Sequence, residues 1–205
     1  MRMIIDPKRR GFITGKTQVG KSELAKYIIK QIKNWLIYDT KHEYEGGAIV
    51  HDMKGLSRAF AAGCNRVIFR PDGVYLTEEG FSEVCKFVYY NLKNITFIVD
   101  EMQEYCSKHK IPLPLKSIIT VGEGKKHIGF IAISQRPQNV HNDILSNISW
   151  LISLRILLPE DAKYMAPYMH VNEKDLLSLP KYHYIMFNDR EELGKEIQRF
   201  KPIKV

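Results

Sequence analysis

Apolar residues along this chain fall into short blocks, and two spacings alternate between stretches of polar punctuation. Runs at 11–14, 35–38, 66–70, 95–99, 129–133 and 150–154 are mostly continuously apolar, which predicts strands buried on both faces. Helical spacing follows the first of them: over 21–32, Leu24, Ala25, Ile28, Ile29 and Ile32 share one face. Pro71-Asp72-Gly73 marks a turn after the third run. Thr77 then caps a predicted helix, with Glu78 and Glu79 opposing the dipole of its first turn and Phe81, Val84, Cys85, Val88 and Leu92 on its buried face.

A helical stretch after residue 101 is broken near Pro112 and Pro114, and Ile118 and Ile119 sit on a second short helix. The tail carries a predicted helix over 160–169 and strands near 184–187 and 197–200. Strands alternating with helices predict an α/β fold, a mainly parallel sheet flanked by helices. A single domain over 1–205 suffices, its motifs within 11–155 and its remaining helix and strands in 156–205.

Composition narrows the class. With 44% hydrophobic and 26% charged residues, the chain can fill a core, which excludes a disordered or fibrous protein. No apolar run approaches the roughly 18 residues of a membrane span, and the basic start shows no secretion signal. The expected location is a cytoplasm or a particle assembled there. Thirty-one Lys and Arg against 23 Asp and Glu give +8, and the pI is near 9.3. That surplus favours a polyanion, nucleic acid ahead of an anionic membrane. Cys64, Cys85 and Cys106 are odd in number and lack Cys-x-x-Cys spacing, so reduced thiols are expected rather than zinc or disulfides. The histidines show no metal-ligand spacing either.

The first strong chemical signal is Gly15-Lys16-Thr17-Gln18-Val19-Gly20-Lys21-Ser22, which fits G-x-x-x-x-G-K-[ST] at every fixed position. Its glycines let successive amides face a phosphate chain, and the helix that follows aims its positive end at the same anion. Lys21 would reach the β- and γ-phosphates of ATP, and the Ser22 hydroxyl would hold Mg²⁺.

Asp100 and Glu101 follow the apolar run 95–99, at the strand end where ligands bind in parallel sheets. Asp100 is placed for Mg²⁺ and Glu101 for polarising an attacking water, although acids also cap helices at such junctions. Two strands, 35–38 and 66–70, lie between the loop and the acid pair in the chain, and a sheet with a strand inserted between loop strand and acid strand accommodates them. This is the arrangement of the RecA-like ASCE core, a P-loop NTPase type used for mechanical work. Gln135, at the end of the run 129–133, would face the γ-phosphate or bond to backbone.

Four stretches together resemble the HerA/FtsK group of hexameric DNA-pumping ATPases: Gly15 to Ser22, Asp39-Thr40-Lys41-His42-Glu43-Tyr44, Phe97 to Glu101, and Ala132-Ile133-Ser134-Gln135-Arg136-Pro137. Within that group, the short chain is most similar to viral genome-packaging ATPases. The resemblance implies ATP and Mg²⁺ at the interfaces of a homo-oligomeric ring, usually a hexamer. It also implies double-stranded DNA in a central channel, recruitment to a capsid vertex, and residence in a host cytoplasm or virion.

A finger acting on the neighbouring subunit is implied too, usually an arginine, but 122–129 reads GEGKKHIG. Lys125 or Lys126 then serves, or Arg136 or Arg155, or the lysines are a solvated turn. Asp39, Glu43 and Tyr44 line the nucleotide edge or form an exposed acidic turn. Pro7-Lys8-Arg9-Arg10 contacts phosphates or an acidic partner, or is a solvated face. Competing functions are a cellular DNA-processing translocase, a nucleotide-binding vertex scaffold and a small-molecule kinase.

Overall fold

The computed structural model describes residues 5–124, 126–189 and 197–200. Its strands are β1 (Arg10–Thr14), β2 (Trp35–Tyr38), β3 (Ala48–Val50), β4 (Arg66–Phe69), β5 (Ile95–Val99), β6 (Ile128–Ser134), β7 (Trp150–Ser153), β8 (His183–Asn188) and β9 (Ile197–Arg199). The helices are α1 (Lys21–Ile29), α2 (Met53–Ala61), α3 (Glu78–Asn91), α4 (Leu113–Val121), α5 (Asn142–Leu145), α6 (Pro159–Met169) and α7 (Glu173–Ser178). Among the described residues the strands form one sheet in the order β3-β4-β2-β5-β6-β1-β7-β8-β9. From β3 to β7 in that order all pairings are parallel, and β8 and β9 close the edge antiparallel.

The continuously apolar runs become central strands because both sheet faces are covered. Phe12, Tyr38, Phe97 and Phe130 point to one side, where α3 supplies Phe81 and Val84, α4 Ile118 and α6 Met165. The alternate residues Ile13, Ile37, Ile98, Ile131 and Ile133 point to the other, against Leu24 and Ile28 of α1. A two-residue strand period thus sends alternate side chains to opposite layers, one of them rich in isoleucine although it also holds Trp35 and Trp150.

Register decides what emerges at the sheet's carboxyl rim. Thr14 pairs with Ser134, and Val99 with Ala132. Gly15, Gln135 and the Asp100-Glu101 pair therefore leave the sheet side by side. The strand inserted between β1 and β5 is β6, which carries Gln135. The strands 35–38 and 66–70 are not the insert: β2 and β4 lie beyond β5, since parallel strands are joined by crossovers and consecutive ones need not be neighbours.

Several local expectations shift. The α-helix ends at Ile29, and residues to Ile32 continue in tighter bonds, Gln31 N–H to Ile28 and Ile32 N–H to Ile29. The helical stretch after residue 101 is one short turn over Met102–Glu104, and the second helix begins at Leu113 as expected, with Pro114 in its first turn where no N–H is needed. Thr77 does cap α3, accepting from the Gly80 N–H at 3.1 Å. The basic opening is not a wholly solvated face, because its two arginines find partners within the chain. Arg9 is forked onto Asp189 at 2.5 and 2.7 Å. Arg10 reaches Glu123 at 2.9 Å and donates to the carbonyls of Asn147 and Ile119. Cys85 and Cys106 are buried and Cys64 half-buried, all three free thiols. No helix among the described residues is long and apolar enough to cross a membrane.

Candidate active site

The loop between β1 and α1 is held open by backbone conformations that other sequences avoid. Gly15 has φ +150° and Gly20 φ +106°, with Gln18 at φ +62° between them. A Cβ at Gly20 would sit 2.6 Å from the Tyr182 ring, so absence of a side chain is required twice over. Buried Val19 anchors the loop in the isoleucine layer. Main-chain bonds fix it from outside: Lys16 N–H donates to the Arg155 carbonyl at 2.9 Å, and Tyr182 N–H to the Val19 carbonyl at 3.0 Å. The left-handed Gly20 leads directly into α1 at Lys21, so the amino end of that helix faces the loop's mouth.

Above the loop lies a cavity of about 400 Å³, and Lys16, Thr17, Gln18, Gly20, Lys21 and Ser22 form its floor. Glu23, Lys41, Glu43, Gln135, Lys181 and Tyr182 complete the walls. Lys21 is only 6% exposed, with Nζ 3.5 Å from Glu101 and 4.0 Å from Asp100. Glu101, at φ +52°, holds a left-handed conformation that turns its carboxylate back into this cluster.

Three hydrogen-bond donors converge on Glu101. Gln135 Nε2 donates to Oε1 at 2.6 Å, Lys41 Nζ bonds the same oxygen, and Gln103 donates to Oε2. Gln103 is itself oriented by the Ser134 hydroxyl, which donates to its Oε1 at 2.6 Å. Burial alone would raise Glu101, yet Lys21 and the donors from Lys41, Gln103 and Gln135 overcome it and hold the carboxyl at about 2. Asp100 goes the other way. Burial pushes it up to about 6 against the pull of Lys21, with adjacent Glu101 adding repulsion. Its Oδ1 accepts the Glu101 N–H at 3.0 Å.

The acids after β2 divide. Glu43 lines the cavity, but Asp39 is fully buried and accepts from the Glu43 and Tyr44 N–H groups and from Arg70 Nε at 3.3 Å. It closes its own loop and does not line the nucleotide edge, and Tyr44 is buried in the isoleucine layer.

The finger candidates scatter. Lys125 lies outside the described residues. Lys126 bonds the Tyr89 carbonyl and lies 4.8 Å over the Tyr89 ring, at the rim opposite the cavity. Arg136 pairs with buried Asp161 at 2.8 Å. Arg155 supplies its carbonyl to the loop, and its half-buried side chain leaves Nε without a hydrogen-bond partner among the described residues. Gln103, Lys41, Lys181 and Tyr182 had no role in the sequence reading. Gln103 lies two residues past Glu101, the one local clue, whereas Tyr182 arrives only by tertiary packing.

The neighbours in fold decide the class. The genome-packaging NTPase B204 of Sulfolobus turreted icosahedral virus 2, solved with ATP-gammaS, superposes with a TM-score of 0.77 at 16% identity, over 98% of this chain and 100% of that one. This chain has the fold of a P-loop NTPase. VirB4 of Thermoanaerobacter pseudethanolicus shares that NTPase fold at a TM-score of 0.69 and 11% identity, covering 98% and 93% of the two chains. The pCW3 conjugation coupling protein TcpA does so at 0.61 and 17%, covering 97% of this chain and 61% of that one. No family model matches the sequence, and no curated protein matches it significantly.

Proposed function

We propose that this protein is an ATP-hydrolysing motor that drives double-stranded DNA, most specifically a viral genome into a preformed capsid. The observation that carries the reading is the cluster of Lys21 and Gln135, which line the cavity above a glycine-shaped loop, with buried Glu101 directly behind them. Packaging is favoured over conjugation because the likeness to the packaging NTPase is closer, with a TM-score of 0.77 against 0.69 and 0.61. Residues 1–205 act as one ATPase domain in a homo-oligomeric ring, a hexamer, docked on a capsid vertex in the host cytoplasm or virion. The basic surplus of +8 suits phosphate contacts that do not read bases.

The residues fit a magnesium triphosphate. The Ser22 hydroxyl and the Asp100 carboxylate are hard oxygen donors, and the buried Asp100 carboxylate has only Lys21, at 4.0 Å, as an ion-pair partner among the described residues. They would hold Mg²⁺, which when bound neutralises charge on the transferring phosphoryl group. Lys21 grips the β- and γ-phosphates, leaving Glu101 for the Gln135-oriented water. Held at about 2, Glu101 is too acidic to take a proton while its donors stay in place, so drawing Lys21 away is part of its activation.

Phosphate release by the purified protein with Mg²⁺ and ATP, with and without duplex DNA, tests the reading. Turnover lost in Lys21→Ala and stimulated by DNA in a salt-sensitive way is expected. Absence of turnover under all conditions would favour a vertex scaffold. Phosphate transfer to nucleosides would make it a kinase, and co-purification with a nuclease rather than with virions would move the motor to cellular DNA processing. Imaging with a slowly hydrolysed analogue and duplex DNA counts the subunits.

A further inference from the structure

Lys41 is a cation of the cavity that neither the phosphate loop nor the acid pair accounts for. Its loop is rigidly built, because buried Asp39 ties the Glu43 and Tyr44 amides to Arg70, and Arg70 also donates to the Tyr44 carbonyl at 2.9 Å. The Lys41 side chain remains 40% exposed while its target, Glu101, is 5% exposed, so the ammonium reaches in from the open side. It meets the same oxygen, Oε1, that Lys21 approaches at 3.5 Å and Gln135 at 2.6 Å.

We infer that Lys41 binds the γ-phosphate of ATP, exchanging its bond to Glu101 for that phosphate when nucleotide enters. The inference rests on reading the cavity as an ATP site. If Glu101 faces the γ-phosphorus, groups on its Oε1 stand at the γ end and not along the α- and β-phosphates. One carboxylate now shares two ammonium groups, and a triphosphate offers them several anionic oxygens at once. Lys41 thus makes the site distinguish a triphosphate from a diphosphate, and it uncovers Glu101 only when the γ-phosphate is present.

Calorimetric titration of the full chain with Mg²⁺ and either ATP-gammaS or ADP tests this in wild type, Lys41→Met, Lys41→Gln, Lys41→Arg and Lys21→Met. Lys41→Met and Lys41→Gln are expected to weaken ATP-gammaS about tenfold, equal to about 1.4 kcal/mol. ADP binding stays within about twofold. Lys41→Arg restores most of the preference, and the Gln variant decides should the Met variant not fold. Equal losses for both nucleotides, or unchanged ATP-gammaS binding in the neutral variants, overturn the role of Lys41 while leaving the ATP site standing. A wild type that binds neither nucleotide, or a Lys21→Met that binds both as well as wild type, overturns the site reading and the role of Lys41 with it.

Discussion

Asp100→Asn is expected to stabilise the fold while disarming it. The carboxyl lies 1% exposed at the end of β5, and burial lifts it from an ordinary 3.8 to about 6 even with Lys21 at 4.0 Å. A folded-state pKa above the unfolded one means that the native protein prefers the neutral acid. The associated stability is present below the unfolded value of 3.8 and lost as pH rises through about 6. At about 1.4 kcal/mol per pH unit, the charged form weakens the fold by about 3 kcal/mol. Asparagine keeps an oxygen for the Glu101 N–H and removes the charge. Urea unfolding without nucleotide or Mg²⁺ should therefore show the variant about 3 kcal/mol more stable at pH 8. The gain should shrink through pH 6 and vanish near pH 4, while Mg²⁺-dependent phosphate release is lost. A variant less stable than wild type at pH 8, or a gain independent of pH, would refute this account of the buried charge.

Three further outcomes follow from named contacts. Glu101→Gln should retain nucleotide binding in a titration yet lower phosphate release by about 10²- to 10⁴-fold, the usual range for a lost general base. Gly20→Ala brings a Cβ to 2.6 Å from Tyr182 and 2.9 Å from Phe200 at a φ of +106°. Thermal unfolding should show it destabilised by about 1–3 kcal/mol, with weaker nucleotide binding. Among the described residues, Arg136→Ala leaves buried Asp161 only the Gln138 N–H at 3.4 Å. A loss of about 2 kcal/mol in urea unfolding is expected, and Arg136→Lys should recover part of it.

The central strands and the phosphate loop were legible because each is a local pattern. Strands β1, β2, β5, β6 and β7 are buried on both faces, so their apolar runs stand out in the chain. By contrast β3 is three residues at the sheet edge with Ile49 exposed, and α2 buries only Leu56. Neither is a continuous apolar run, although Met53, Leu56 and Phe60 of α2 do fall at helical spacing and pack on the core. Strand order is a property of crossovers, so the identity of the inserted strand was out of reach even though the need for one was not. Charge was equally ambiguous: Arg9 and Arg10 read as surface cations, yet their partners Asp189 and Glu123 lie far along the chain. The Asp39 loop failed for the same reason, since Arg70 decides which way that carboxylate points.

The phosphate loop's outer tethers run from main chain to main chain, Lys16 to Arg155 and Tyr182 to Val19. Such bonds carry no side-chain identity: any residue but proline supplies the amide, and any residue at all supplies the carbonyl. Lys16 and Arg155 can therefore change without breaking their tether, whereas Val19 and Tyr182 are also held by side-chain packing. Drift of this kind is compatible with an architecture held in common at 16% identity.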